Sequence, residues 1–301
     1  MIKFSIVITT RNRFQDLKIT LKTLEDLLGS NELELLICDD ASEDETTEFL
    51  KGYYAKHTLI FNQKPKGLIA NRNTLNNLAK GMYIISLDDD ANFLSQNVLE
   101  EIERCFIKHP TCAVQSLRIF WGAEVPSSFA EKTISQKSRG FVGCGHVWRK
   151  KAWEEIPNYP AWFVFYGEED FAAFQLLKNH WEIIYNPNVL IHHRVDIKSR
   201  KNNNDYRIRL RRSLRSGWYL YLLFYPLKEI PRRFMYTLWI QLKKKTFKGD
   251  VKATIAILQA LFDVFLNIPK LIKNSNRLTK KEFKLYQELP DTKLYWYPNK
   301  E

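Results

Sequence analysis

A chain of 301 residues that is 45% hydrophobic has enough apolar material for a substantial core and is not a disordered tail. Its four cysteines, Cys38, Cys105, Cys112 and Cys144, are widely spaced, with no CxxC pair and no Cys/His zinc spacing. That excludes a secreted disulfide framework or a zinc module and fits reduced thiols in a cytosolic protein. The net charge of +12 is uneven: residues 1–199 hold 23 Lys+Arg and 26 Asp+Glu, whereas residues 200–301 hold 23 and 8. A nearly neutral body is therefore followed by a tail of net +15, which calls for an anionic partner: a membrane surface, a phosphate-bearing substrate or nucleic acid.

The apolar start of the chain is too brief for a signal peptide and runs directly into a strand pattern, Phe4 to Thr10. Leu17, Leu21, Leu24 and Leu28 then recur at helical spacing and predict a helix from Phe14 to Leu28. Strands follow at Leu33 to Cys38, Thr58 to Phe61 and Tyr83 to Leu87, separated by helices at Asp44 to Tyr54 and Leu68 to Ala79. Alternation of this kind predicts βαβ units and a mainly parallel sheet flanked by helices, whose ligand site lies beyond the carboxyl ends of the strands. Three polar clusters fall there: Thr10-Arg11-Asn12, Asp39-Asp40 and Asp88-Asp89-Asp90.

Downstream, a helix is expected near Asn97 to Lys108, a strand near Ala113 to Phe120, and a glycine-containing turn or pocket segment from Gly140 to Trp148. Tyr166-Gly167-Glu168-Glu169-Asp170 opens a helical run to about Asn179, and a strand from Glu182 to Ile191 ends at His192-His193. The rest is mostly helical, and no stretch reaches the roughly 20 apolar residues of a membrane span. Trp218 to Leu227 and Ile255 to Ile268 are both short, and the second contains Asp263. Basic clusters flank Trp218, Tyr219, Tyr221, Phe224, Tyr225 and Trp239. That composition suits either interfacial helices on an anionic leaflet or core helices with a basic outer face.

The acids after the Tyr83 to Leu87 strand carry the most chemistry. Three adjacent carboxylates repel and resist burial, and a divalent cation with the phosphates it carries neutralises them. The plain alternative is an acidic turn.

Taken together, these motifs resemble family 2 glycosyltransferases with a GT-A fold, over roughly residues 4 to 195. Ile6-Val7-Ile8-Thr9-Thr10-Arg11-Asn12-Arg13 resembles the family's opening strand, and Leu36-Ile37-Cys38-Asp39-Asp40 its second-strand motif. Gly67-Leu68-Ile69-Ala70-Asn71-Arg72-Asn73 is similar to the nucleotide-pocket segment, and Asp88-Asp89-Asp90 stands at the DxD position. The acidic helix start and the late histidines complete the match. The resemblance implies a Rossmann-like, mixed sheet in a catalytic domain over residues 1–199, followed by a basic, aromatic helical region over 200–301.

The resemblance further implies a nucleoside-diphosphate-sugar site built from Thr9, Thr10, Arg11, Asn12, Asp39, Asp40, Arg72, Asp88 and Asp89. Arg72 is expected to pack on the base or to pair with Asp40. Asp88, Asp90 and His193 are the expected ligands of a divalent metal, Mn²⁺ or Mg²⁺. Asp170 is the preferred catalytic base, with Glu169 as the alternative. The implied reaction is inverting transfer of a sugar, from uridine diphosphate in the first instance, to a glycan or lipid-linked acceptor in cell-surface polysaccharide or glycolipid synthesis. An anionic membrane surface is the expected partner, which places the protein on the cytoplasmic side as a peripheral protein. Two rivals stand beside it: a sugar-phosphate nucleotidyltransferase, demoted because the first strand has no Gly-rich phosphate loop, and a non-enzymatic binder of nucleic acid or membrane acting through the tail.

Overall fold

The computed structural model describes residues 1–195 and 205–298. Strand β1 (Phe4–Thr10) is buried along almost its whole length, as a central parallel strand covered on both faces must be. It pairs in parallel with β2 (Leu33–Asp39) on one side and with β4 (Tyr83–Asp88) on the other, and β3 (Thr58–Phe61) extends the sheet beyond β2. The register sets Thr9 opposite both Cys38 and Asp88, and Thr10 opposite Asp39. The three polar clusters therefore end level, at one edge.

Past β4 the sheet becomes mixed. The Gly140 to Trp148 stretch contains an antiparallel strand, β8 (Gly145–Arg149), inserted between β4 and β6 (Cys112–Trp121). Strand β6 runs parallel to β9 (Glu182–His193), and two short strands, β5 (Ala91–Phe93) and β7 (Gln136–Ser138), pair antiparallel with β9. Pairing of β5 with β9 sets Ala91 opposite His193, which carries the end of β9 to the acids after β4.

Side chains alternate across the sheet and build a core on each face. Ile6, Ile8, Leu35 and Ile37 face α1 (Phe14–Thr23), α3 (Thr46–Tyr53) and α5 (Val98–Lys108), which contribute Leu17, Leu50 and Phe106. The helix expected from Phe14 to Leu28 is interrupted at Leu24, after which a single turn, α2 (Glu25–Leu28), leads to β2. On the other face, Val7, Leu36 and Ile84 meet α4 (Leu68–Leu78), α6 (Lys150–Glu154) and α7 (Glu168–Lys178).

The same second core takes in the C-terminal helices, α8 (Tyr206–Phe224), α9 (Ile230–Lys244), α10 (Val251–Leu266), α11 (Ile268–Lys273) and α12 (Lys280–Glu288). The Phe224 ring stacks on Phe174 of α7 at 4.9 Å. Trp218, Tyr219, Phe224 and Tyr225 are buried, so these aromatics are core and the interfacial reading of them is corrected. Each large apolar side chain so buried contributes roughly 1.5–3 kcal/mol to holding these helices on the body of the protein. The boundary expected at 199/200 lies outside the described residues. All four cysteines are free and buried. Among the described residues no helix is long and apolar enough to cross a membrane.

Candidate active site

A cleft of 600 Å³ opens at the carboxyl edge of the sheet, and Arg72, Asp88, Gly143, Glu169 and His193 are among the residues that line it. Arg72 is its organising cation. Helix α4 begins after Gly67, whose φ of +88° suits glycine, and delivers the guanidinium, buried, to the end of β4. There it donates to Asp88 Oδ1 at 2.7 Å, Glu168 Oε1 at 3.1 Å, Glu169 Oε1 at 3.5 Å and the Gly143 carbonyl at 3.0 Å. Burial opposes the arginine's charge, but the three surrounding carboxylates outweigh it and raise its pKa.

One cation facing three acids leaves negative charge in excess. Burial pushes Glu168 and Glu169 upward, and their mutual repulsion raises Glu169 further. Gly143 leaves room for this carboxylate: a Cβ there would lie 2.0 Å from Glu169 Oε1, and the glutamate would have to move. The turn into α7 is also strained: Val164, Tyr166 and Gly167 all have positive φ, a cost tolerated where it aims the first turn of this helix at the cleft.

Asp88, Asp90 and His193 each place a ligand atom within 4.8 Å of the others. His193 Nε2 lies 2.9 Å from Asp90 Oδ1, and its ring stacks on Trp121 at 6.4 Å. For Asp90, burial alone would raise the pKa, yet the hydrogen bond from His193 and the charges of His193, Arg13 and Arg194 hold it down at about 2. Two carboxylates and an imidazole form a hard-to-borderline donor set, one that fits Mn²⁺ and also accepts Mg²⁺.

The remaining expected site residues separate. Asp89 turns away from this triad: its Oδ2 accepts from Thr10 Oγ1 at 2.8 Å and its Oδ1 lies 3.0 Å from Arg13 Nε. Burial and the neighbouring Asp90 and Asp88 push it up to about 7, against the pull of Arg13 and Thr10. Thr10 and Asp89, both expected at the nucleotide site, thus join β1 to the loop after β4 and are not among the residues lining the cleft. Thr9 is half-buried at the end of β1, and Arg11 is exposed. Asn12 ties the loops after β1 and β2 together, donating its backbone N–H to Ser42 Oγ and accepting from the Glu43 N–H on its Oδ1.

Asp39 accepts from the Ser42 N–H and from Thr47 Oγ1. Asp40 accepts from the Lys66 and Gly67 N–H groups and from Asn62 Nδ2. The pairing of Arg72 with Asp40 is therefore corrected: the loop backbone already satisfies Asp40, while helix α4 carries Arg72 toward β4. His192 also turns away, with Nε2 on the Gly122 carbonyl at 2.9 Å.

Glu169 and Asp170 diverge because one residue of helix rotates a side chain by about 100°. Glu169 faces Arg72 and the cleft. Asp170 does not line that cleft and instead sets its field on Tyr221, Tyr225 and Tyr286. Of the two expected bases, the geometry brings the alternative, Glu169, next to Asp88 through Arg72, and leaves the preferred one, Asp170, beside it outside the lining of the cleft.

Against this geometry, the family model for Glycosyl transferase family 2 matches residues 5–156. The chain belongs to glycosyl transferase family 2. GalNAc-T7, solved with UDP, GalNAc and Mn²⁺, is similar in fold, with a TM-score of 0.61 at 13% identity over 90% of this chain and 58% of that one. The mannosyltransferase PcManGT from Pyrobaculum calidifontis, with GDP-Man and Mn²⁺, gives 0.55 at 14% identity over 95% and 83%. S. aureus TarS 1-349 with UDP gives 0.54 at 16% over 91% and 83%. Chondroitin synthase of Escherichia coli is 41% identical over 71 residues, 23% of this chain and 10% of that protein. The chain thus spans about a tenth of the curated relative it matches.

The motifs assign no role to several cleft residues of this family 2 chain. Arg13 bridges Asp89 and Asp90 at 3.0 and 2.6 Å. Arg209 and Arg212 reach the cleft from α8, and Tyr295 reaches it from the C-terminal segment. That segment is pinned by Trp296, whose backbone N–H donates to the Ile119 carbonyl at 2.7 Å. The only sequence signal for α8 was the basic character of the tail, which does not say which arginines face inward.

Proposed function

We propose that this chain is a metal-dependent, inverting glycosyltransferase. It moves a sugar from a nucleoside diphosphate sugar, with uridine diphosphate as the preferred carrier, to a hydroxyl of a glycan or lipid-linked acceptor. The observation that carries the reading is the shared cleft: the Asp88, Asp90 and His193 triad sits across Arg72 from a carboxylate, Glu169, that is free of the triad. The printed UDP, GDP-Man and Mn²⁺ of the structural neighbours support a donor of this class.

A divalent ion at the triad would supply positive charge to the diphosphate as it leaves. The protein's own share is positional. Arg13, Arg209 and Arg212 line the same cleft and offer further positive charge to the departing group. Glu169 takes the proton of the acceptor hydroxyl while the hydroxyl oxygen bonds to the anomeric carbon. The bond from that carbon to the diphosphate breaks in the same displacement, and its electron pair leaves with the diphosphate. One base and one displacement invert the anomeric centre. Arg72 holds Glu169 in place and, through its positive charge, favours the ionised form.

The reaction is placed at the inner face of the plasma membrane, where a lipid-linked acceptor is presented. A thermal-shift panel of nucleoside diphosphates and their sugars, with and without Mn²⁺, tests the donor reading. Stabilisation that needs Mn²⁺ and favours one base supports it, because a ligand of the folded state must raise its stability. No shift from any member at millimolar concentration overturns it.

A further inference from the structure

Helix α10 is apolar on all sides, yet only one side is covered. Ala253, Ala256, Ile257, Ala260 and Val264 pack inward. Val251, Ile255, Leu258, Phe262 and Phe265, at helical spacing, form an outward stripe with exposures of 39 to 68%. Met235, Tyr236 and Trp239 are similarly exposed on α9, and Trp239 meets Phe247 in the turn joining the two helices. An all-round apolar helix is normally buried or spans a bilayer. At 16 residues α10 is short of the roughly 20 a span needs, and one of its faces is fixed to the protein.

Charge decides what covers this stripe. From Ile230 to Lys273 the sequence carries nine Lys and Arg and two acids. Both acids are used internally. Asp263 is buried in a bidentate pair with Arg211 at 2.7 and 2.6 Å, and Asp250 caps α10 through the Ala253 N–H while accepting from the Tyr206 hydroxyl. Lys243, Lys244, Lys248 and Lys273 stay exposed. A second copy of the chain would bring this cationic rim against itself. An acidic headgroup layer complements the rim and accepts the apolar stripe below it.

We propose that the outer faces of α9 and α10 form a membrane-docking surface for anionic bilayers, with Leu258, Phe262 and Phe265 inserted among the acyl chains. The position also deepens the functional reading and rests on it in one respect. Helix α8 shows Arg209 and Arg212 to the cleft and Arg211 and Arg215 to Asp263 of α10. Helices α8 and α10, each roughly 10 Å across, lie between the cleft and the docking surface, a distance that an acceptor carried on a lipid anchor would have to span.

Co-sedimentation of the full chain with phosphatidylcholine vesicles, alone or mixed with phosphatidylglycerol, tests the surface without any activity assay. Binding should be at least about tenfold tighter to the mixed vesicles and should weaken as salt rises from about 0.1 M to about 0.5 M. The triple variant Leu258→Gln, Phe262→Gln, Phe265→Gln should lose at least about tenfold in vesicle affinity. Its melting temperature and its Mn²⁺-dependent response to UDP should match the wild type, which shows that the fold is intact. Equal binding to both vesicle types, or full binding by the triple variant, overturns the proposal. So does a wild-type dimer by light scattering that the triple variant converts to monomer, since the stripe would then be an interface between copies. A failed donor response with normal vesicle binding would sink the catalytic reading alone.

Discussion

At the carboxyl edge of the sheet, Asp88, Asp89, Asp90, Glu168 and Glu169 are gathered around Arg13, Arg72 and His193, and most of their charged oxygens have a named partner, with buried Glu168 Oε2 an exception. On the outer face of α9 and α10 the lysines project into solvent beside exposed Phe262 and Phe265. The first region spends its charges on one another and is thereby preorganised, with few internal adjustments left to make. The second leaves charge and apolar surface unmatched, which is what a surface awaiting a partner requires. The comparison separates residues that hold a site from residues that seek a surface.

The sharpest way to break it lies between adjacent acids. Glu169→Gln should lower turnover by roughly 10²- to 10⁴-fold with Mn²⁺-dependent donor binding retained, whereas Asp170→Asn should keep turnover within about tenfold. Steady-state rates of nucleoside diphosphate release, with thermal shift for binding, read both. The reverse ranking would return the base to Asp170. Next in size, Asp90→Asn should abolish the Mn²⁺ dependence of donor binding and cost roughly 10²- to 10³-fold in rate, measured by titrating the metal against UDP. Retained Mn²⁺ dependence would remove the triad from the site.

Arg72→Met tests whether the first region is built on compensation. It removes one buried cation from three acids and should cost about 3–5 kcal/mol of stability, read by urea unfolding. The sign of its pH dependence follows from Glu168 and Glu169, whose pKa values are already raised in the folded state and rise further without the arginine. A folded state that holds protons more tightly than the unfolded chain loses stability as pH rises. The deficit should therefore be larger at about pH 8 than at about pH 5. A deficit independent of pH would mean that Arg72 acts by packing alone.

Much of this was legible in the chain itself, for identifiable reasons. Strands buried on both faces, such as Phe4–Thr10 and Tyr83–Asp88, are short continuous apolar runs, and their ends mark where polar groups gather. The order of Asp88, Asp90 and His193 could be read for the same reason, because Asp88 and His193 end strands and Asp90 lies in the turn directly after one. Roles on helices were harder. Whether Glu169 or Asp170 faces the cleft depends on helix phase, fixed here by the burial of Phe171 and Phe174 against the C-terminal helices. Asp39 and Asp40 read equally well as ligand contacts, and only the loops of Ser42 and Gly67 show that their oxygens are occupied. In α10 the sequence is apolar on every side, so nothing in it says which side stays outside.

The smallest expected effect sharpens the boundary of the cleft. Asp170 is exposed at the start of α7 beside Glu169, and desolvation by neighbouring groups followed by repulsion from Glu169 pushes it up to about 6. An unfolded aspartate titrates near 3.9, so between about pH 4 and pH 6 the folded chain binds the extra proton. Its contribution to stability is then full below about pH 4 and is lost as pH rises through 6. Solvent screening keeps the effect small. Comparing urea midpoints of wild type and Asp170→Asn across that window isolates it: the wild type should lose ground to the variant as pH increases, with most of the change complete by about pH 7. Parallel curves would show that Asp170 is as hydrated as its exposure suggests and does not feel the charge of Glu169.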